Sequence, residues 1–259
     1  MPAQFTFLGT GTSQGIPVVG CDCAVCASPD PRDTRLRSSA LVRDADTTLL
    51  IDCGPDARVQ LLAAGVRQLD AVVITHEHND HIIGLDDLRP LIFKQRAPVR
   101  LYAEPRVQAS IRERFAYAFA EHPYPGAPRF ELLDLAPGER LQVGTLPAVE
   151  PLRIMHGELP ILGFRIGGLA YLTDVKTVPA ATRARLADVD TLVTSSLHHH
   201  AHHSHMNLPE TLAFVEEVGA PRTYLIHMSH LMGLHAAGQQ VLPQGVAYAY
   251  DGLSLELPV

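Results

Sequence analysis

Residues 72–88 read VVITHEHNDHIIGLDDL, an apolar, largely β-branched run that gives way to His76, His78, Asp80 and His81. Side chains at alternate positions of a strand end project to the same side, so His76 and His78 address one point in space. The turn through NDH then offers Asp80 and His81 to a second point. Imidazole and carboxylate suit zinc and manganese alike, and four such groups on one tight turn can serve two ions about 3.5 to 4 Å apart. Crowding of this kind is tolerable when cations occupy the space between the rings and carboxylates.

Outward from that turn, short strand patterns recur at Gln4–Leu8, Ser39–Val42, Thr48–Asp52, Ala71–Thr75, Arg100–Ala103, Leu162–Ile166, Leu169–Thr173, Thr191–Thr194 and Thr223–Ile226, with a final pair around YDGLS whose Asp251-Gly252 reads as a hairpin turn. Helical patterns interleave with them. Over Pro105–Phe119 an apolar stripe recurs at Val107, Ile111 and Phe115, and Pro209–Val218 carries proline in its first turn and Gly219 just past its end. Segments 121–129 and 156–163 hold proline and glycine and read as surface loops, the first a candidate lid. No long linker, low-complexity segment or solenoid repeat divides the 259 residues, so an α/β fold in a single domain over 1–259 is expected.

The formal charge of −7 argues against a broad grip on nucleic acid, which depends on basic residues displacing counterions from phosphates. The N-terminal MPAQFTFLGTG runs straight into a strand pattern, and neither a signal peptide nor a membrane span is visible, so a cytoplasmic protein is expected. Of four cysteines, Cys53 reads as a small buried residue at a strand end. Cys21, Cys23 and Cys26 lie together in GCDCAVC (20–26) as three soft donors, three quarters of a tetrahedral zinc site. His230, three residues beyond His227, is the candidate fourth ligand, which would tie the N-terminal loop to the C-terminal half. Structural zinc contributes about 10 to 16 kcal/mol in zinc-finger peptides.

The H-x-H-x-D-H string resembles that of the metallo-β-lactamase fold hydrolases, and the resemblance extends over essentially the whole chain. It implies a four-layer αββα sandwich and two catalytic divalent ions, Zn2+ or Mn2+. It further implies that His156 in RIMHGE completes the first site, that Asp174 in AYLTDV bridges the ions, that His227 in TYLIHMSH completes the second, and that Asp52 at the end of TLLID holds the histidine loop from behind.

The combination FLGTGTSQGIPVVGCDCAVC with IHMSH is similar to the branch of that family containing the phosphodiesterase of the carbon–phosphorus lyase pathway, with a structural Zn2+ beside the two-metal site. The implied reaction is hydrolysis of a small phosphodiester, such as ribosyl 1,2-cyclic phosphate or a cyclic nucleotide, by attack of a metal-activated hydroxide on phosphorus. Two divalent ions set against Asp80, Asp174 and that hydroxide leave about one net positive charge, which favours an anionic substrate. His205 in SHMNLPE matches the family's proton donor to the leaving group, though the run HHHAHHSH (198–205) leaves His202 and His203 as alternatives. GTGTSQG (9–15) lacks P-loop spacing and reads as pocket rim, with Ser13 and Gln14 as candidate substrate contacts.

Two other readings share parts of the pattern. A transfer-RNA 3′-processing endonuclease shares the histidine string but calls for a basic arm that this sequence lacks. A noncatalytic cofactor-biosynthesis protein like pyrroloquinoline quinone biosynthesis protein B shares the cysteine loop. The expected partner is a small-molecule phosphodiester rather than nucleic acid or membrane, with a homodimer left open.

Overall fold

The computed structural model describes residues 2–257. Among these residues thirteen strands and seven α-helices follow in the order β1 (Gln4–Gly9), β2 (Ser39–Arg43), β3 (Thr48–Ile51), α1 (Ala57–Ala63), β4 (Ala71–Val73), α2 (Asn79–Ile82), α3 (Arg89–Gln95), β5 (Val99–Ala103), α4 (Pro105–Arg114), β6 (Phe130–Asp134), β7 (Val149–His156), β8 (Leu159–Ile166), β9 (Leu169–Leu172), α5 (Ala180–Ala184), β10 (Thr191–Ser195), α6 (Leu208–Val218), β11 (Arg222–Ile226), α7 (His235–Gln239), β12 (Val246–Tyr248) and β13 (Ser254–Glu256). They form two sheets, ordered β13-β1-β2-β3-β4-β5-β6 and β12-β11-β10-β9-β8-β7.

Three apolar clusters show why the sheets stack with helices outside. Leu49, Ile51, Ala71 and Val73 of the first sheet meet Phe164, Tyr171, Val193 and Ile226 of the second in a central core. The intervening residues Leu50 and Val72 point the other way, against Ile82, Leu85, Ile92, Val107 and Ile111. On the far side, Leu172, Leu192 and Leu225 pack on Leu186, Phe214 and Val215. Strands apolar on both faces need a cover on both faces, and the result is an αββα sandwich in one domain.

The predicted helix at 209–218 is α6, with a capping box between Asn207 and Glu210 at its start and Gly219 in the left-handed region at its end. The helix expected over Pro105–Phe119 ends at Arg114. Phe115 leaves helical backbone (φ −110°, ψ 36°) and sets its ring 6.3 Å from Phe130, and a short 3-10 turn follows.

Segment 121–129 is an irregular loop, but 156–163 is not one. It contains the turn of the β7–β8 hairpin, made by Gly157 at φ 60° and Glu158, with every residue from Val149 to His156 paired across it. Pro160 is tolerated because β9 pairs only with Phe164–Ile166 of β8 and does not reach it, so no strand ladder needs the missing N–H, while Pro160 O accepts from Arg106. The hairpin expected around YDGLS is likewise corrected: β12 runs parallel to β11 in the second sheet, while β13 pairs with β1 in the first. Asp251 anchors the crossing, its half-buried carboxylate accepting from Leu36 N–H and the Thr10 hydroxyl.

Candidate metal centre

Asp52, Asp174 and His227 follow the ends of β3, β9 and β11, and each adopts a left-handed backbone, with φ of 59°, 55° and 53°. Such conformations cost about 1 to 3 kcal/mol each, and Asp and His tolerate them better than most residues. All three belong to one contact network with the histidine turn. Asp174 Oδ1 lies 3.2 Å from His227 Nδ1 and 3.4 Å from His81 Nε2, and its Oδ2 lies 3.9 Å from His76 Nε2.

The potential donors fall into overlapping groups, each with its donor atoms within 4.8 Å of one another: His76, His78 and His156; Asp80, His81, Asp174 and His227; and His156, Asp174 and His205. The first two are the sets expected from the sequence. The third was not foreseen. It draws His205, rather than His202 or His203, to the junction, with its ring centroid 4.4 Å from that of His156 and 5.0 Å from that of His227.

Hydrogen bonds from behind fix which nitrogens face inward. His81 Nδ1 donates to Asp52 Oδ2 at 2.7 Å and His156 Nδ1 donates to the Ser204 carbonyl at 2.8 Å, so each ring turns an unprotonated Nε2 to the centre when neutral. Asp52 also accepts from Thr75 N–H and the Thr75 hydroxyl. The loop carrying Asp52 clamps the histidine turn by backbone, with Cys53 N–H on His81 O at 2.7 Å and Gly84 N–H on Cys53 O at 2.9 Å. A Cβ at Gly54 would lie 2.1 Å from Asp80 O, which is why a glycine stands there.

The electrostatics describe a site built around positive charge. Burial resists ionisation of Asp174, but His227 and His81 hold its carboxyl well below the usual range. Burial also resists protonation of His81, yet the carboxylates of Asp80, Asp174 and Asp52 hold its pKa well above the usual one. In effect three acids demand a cation at His81. Among the described residues its Nε2 is buried without a hydrogen-bond partner although Asp80 and Asp174 lie at 3.3 and 3.4 Å, so the residues fit a metal ion between them. At His205, burial first and His227 second hold the pKa at about 2, so the resting ring is neutral.

The other cluster brings Cys21, Cys23, Cys26 and His230 together, with the sulfurs 3.4, 3.4 and 3.6 Å from His230 Nδ1. Tetrahedral zinc with Zn–S and Zn–N bonds of standard length spans about 3.6 Å between a sulfur and a nitrogen ligand, so these four residues also fit their ion. The Cys26 N–H first and His230 second lower the Cys23 thiol to about 6, whereas burial pushes Cys26 up to about 11.

Two partners of His227 escaped the sequence: the Thr12 hydroxyl, 3.1 Å from Nε2, and the Ser38 hydroxyl, 3.1 Å from Nδ1. Thr12 arrives because Thr12 N–H bonds Met228 O and Met228 N–H bonds Thr10 O, which fastens the glycine-rich loop beside IHMSH. Ser13 and Gln14, the expected rim contacts, are exposed. Among the described residues no helix is long and apolar enough to cross a membrane.

Residues 47–228 match the family described as the beta-lactamase superfamily domain. A crystal structure of a diphosphatase from the PhnP family superposes with a TM-score of 0.92 at 39% identity, covering 99% of this chain and 98% of that one. The chain belongs to the metallo-β-lactamase superfamily and is of the PhnP type. A curated octanoyltransferase of Porphyromonas gingivalis is 46% identical over 248 residues, which are 95% of this chain but 50% of that protein, so the chain spans half the length of that relative. Zinc-bound PqqB from Methylobacterium extorquens, at 21% identity and a TM-score of 0.79 over 98% of this chain and 100% of that one, shares the fold. Membership of this superfamily implies divalent metals.

Proposed function

We propose that the chain is a dinuclear metal-dependent phosphodiesterase acting on a small anionic phosphodiester, with a cyclic phosphate of ribose or of a nucleotide as substrate class. One observation carries the reading: Asp174 lies between the two histidine groups, within 3.4 Å of His81 and His227 and 3.9 Å of His76, where a carboxylate can serve both metal positions. The ligands are His76, His78 and His156 on one side and Asp80, His81 and His227 on the other. Zn2+ or Mn2+ fits both sets, and Cys21, Cys23, Cys26 and His230 hold a structural Zn2+. Divalent ions held there supply Lewis acidity toward water and toward the phosphoryl oxygens.

The protein's own groups orient and charge the site. Asp52 and the Ser204 carbonyl hold His81 and His156 with Nε2 inward. Asp80 and Asp174 only partly balance two divalent ions, so an anionic substrate is favoured. Hydrolysis adds water across a P–O bond, and the leaving alkoxide takes a proton. His205 sits at the junction of the groups, where it can contact the phosphate and donate that proton. Burial and His227 hold the basicity of this ring low, and the substrate's negative charge acts in the opposite direction.

A second reading is favoured by the name of the 39% identical relative, a diphosphatase: the same site would cleave a phosphoanhydride, whose phosphate leaving group needs no proton. The octanoyltransferase name of the half-matched relative motivates an acyl ester or thioester as a further arm of the test. Product analysis of the metal-loaded chain on cyclic and linear phosphodiesters, diphosphates and an octanoyl thioester decides among them. Turnover of cyclic or alkyl diesters at least about tenfold above the others supports the proposal, and preferential cleavage of diphosphate or thioester overturns it. The net charge of −7 supports a small substrate over transfer RNA, and three clustered thiols suit the reducing cytoplasm.

A further inference from the structure

The loop between β10 and α6 carries HHHAHHSH over 198–205, and the proposed reaction uses only its last imidazole. The remaining rings are graded inward. His199, His200 and His203 are exposed, His198 and His202 half-buried, and His205 buried. Ring centroids are spaced 5.9 Å from His200 to His198, 5.8 Å from His198 to His202 and 5.2 Å from His202 to His205, from which His156 is a further 4.4 Å. His203 lies 4.4 Å from His202. Two imidazoles bound to one tetrahedral ion have their centroids about 5 Å apart, given metal–nitrogen bonds of standard length. Each step of the series is therefore one that a single ion can span after a side-chain rotation. The inner end is also prepared: His205 is 8% exposed, and among the described residues its Nδ1 is buried without a hydrogen-bond partner.

We propose that His198 and His202, with His203 at the solvent edge, form an acquisition site for a divalent transition-metal ion and pass it through His205 to the buried centre. The idea rests on reading the buried clusters as that centre. Imidazole donors select Zn2+, Co2+ or Ni2+ over Mg2+ and Ca2+. Transfer is ligand exchange: the lone pair of the next ring binds as the previous ring dissociates, with no change in oxidation state.

The tautomers set the direction. His198 Nδ1 accepts from His200 N–H at 3.2 Å and His202 Nδ1 accepts from Ser204 N–H at 3.3 Å, which puts the proton of each neutral ring on Nε2. To ligate through Nε2, each ring must move that proton to Nδ1 and give up its hydrogen bond. His81 and His156 already carry theirs on Nδ1. Two forfeited hydrogen bonds make the outer site weaker than the inner one by roughly tenfold or more.

The test uses the full chain. After its buried and cysteine sites are filled with zinc, it is titrated calorimetrically with Ni2+; separately, chelator-stripped protein is reloaded from a zinc buffer. The wild type should bind one further, weaker ion, and the double variant His198→Gln/His202→Gln should not. That variant should reload roughly tenfold more slowly, yet reach wild-type metal content and, once loaded, wild-type turnover, which also shows that it has folded. His122→Gln, at an exposed histidine outside the loop, should behave as wild type. Absence of a further ion in the wild type, or equal reloading rates, overturns the proposal. Failure of the buried-centre reading is distinguishable, because stripped protein would then take up no ions at the buried clusters while the calorimetric arm still reports on the loop.

Discussion

His81 Nδ1 lies 2.7 Å from Asp52 Oδ2, and both side chains are wholly buried. The pair locks the proton of His81 on the outer nitrogen and leaves Nε2 for the centre, between Asp80 and Asp174. Asp52→Asn keeps the shape and tolerates the left-handed backbone, but it presents an amide N–H to Nδ1 once its carbonyl oxygen takes the bonds from Thr75. The proton is then forced onto Nε2. Affinity for the catalytic ions should fall roughly 10- to 100-fold while the cysteine site keeps its zinc. Unchanged affinity in a competition titration would show that Asp52 merely shapes a turn.

His205→Ala should retain its metal content and lose turnover in proportion to how poor the leaving group is. With alkyl diesters a loss of roughly 10²- to 10⁴-fold is expected, and with activated aryl diesters much less, because an aryloxide departs without a proton. Equal losses on both classes would remove the proton-donor role and leave phosphate positioning or metal ligation.

Cys23→Ser removes one of the donors that join the N-terminal loop to His230. Zinc content should drop by one ion per chain and the melting temperature by about 10 °C, before any direct effect on the chemistry. An unchanged melting temperature would count against a structural ion.

The same cluster carries a pH signature in the metal-stripped protein. The Cys26 N–H and then His230 lower Cys23 to about 6, so it is thiolate at neutral pH, whereas burial raises Cys26 to about 11 and keeps it a thiol. The thiolate is the nucleophile, so alkylation at Cys23 should accelerate as pH rises through about 6 and level off above it, while Cys26 lags until far more alkaline pH. Added zinc should protect both. Equal alkylation rates at the two positions at pH 7, read by peptide mass mapping, would contradict the geometry.

What the sequence made legible was the part governed by local spacing. His76, His78, Asp80 and His81 sit on one turn, Cys21, Cys23 and Cys26 on one loop, and α6 announces itself by Pro209 and Gly219. Contacts that depend on distant segments were invisible. Thr12 and Ser38 reach His227 only because the glycine-rich loop pairs with Met228, and nothing in GTGTSQG or its spacing encodes that partner. The β7–β8 turn was masked by Gly157 and Pro160, residues that usually punctuate loops but here occupy a tight turn and an unpaired strand flank. The crossing after β12 was misread because Asp251-Gly252 makes the same local turn whether the next strand joins its own sheet or the other one.

The central claim is that Asp174 joins two ions. Anomalous diffraction from metal-replete crystals, combined with elemental analysis of the same preparation, tests it most directly. Three ions per chain are expected: two about 3.5 to 4 Å apart with Asp174 between them, and one among Cys21, Cys23, Cys26 and His230. A single ion per chain, or two buried ions with Asp174 turned away from both, would contradict it.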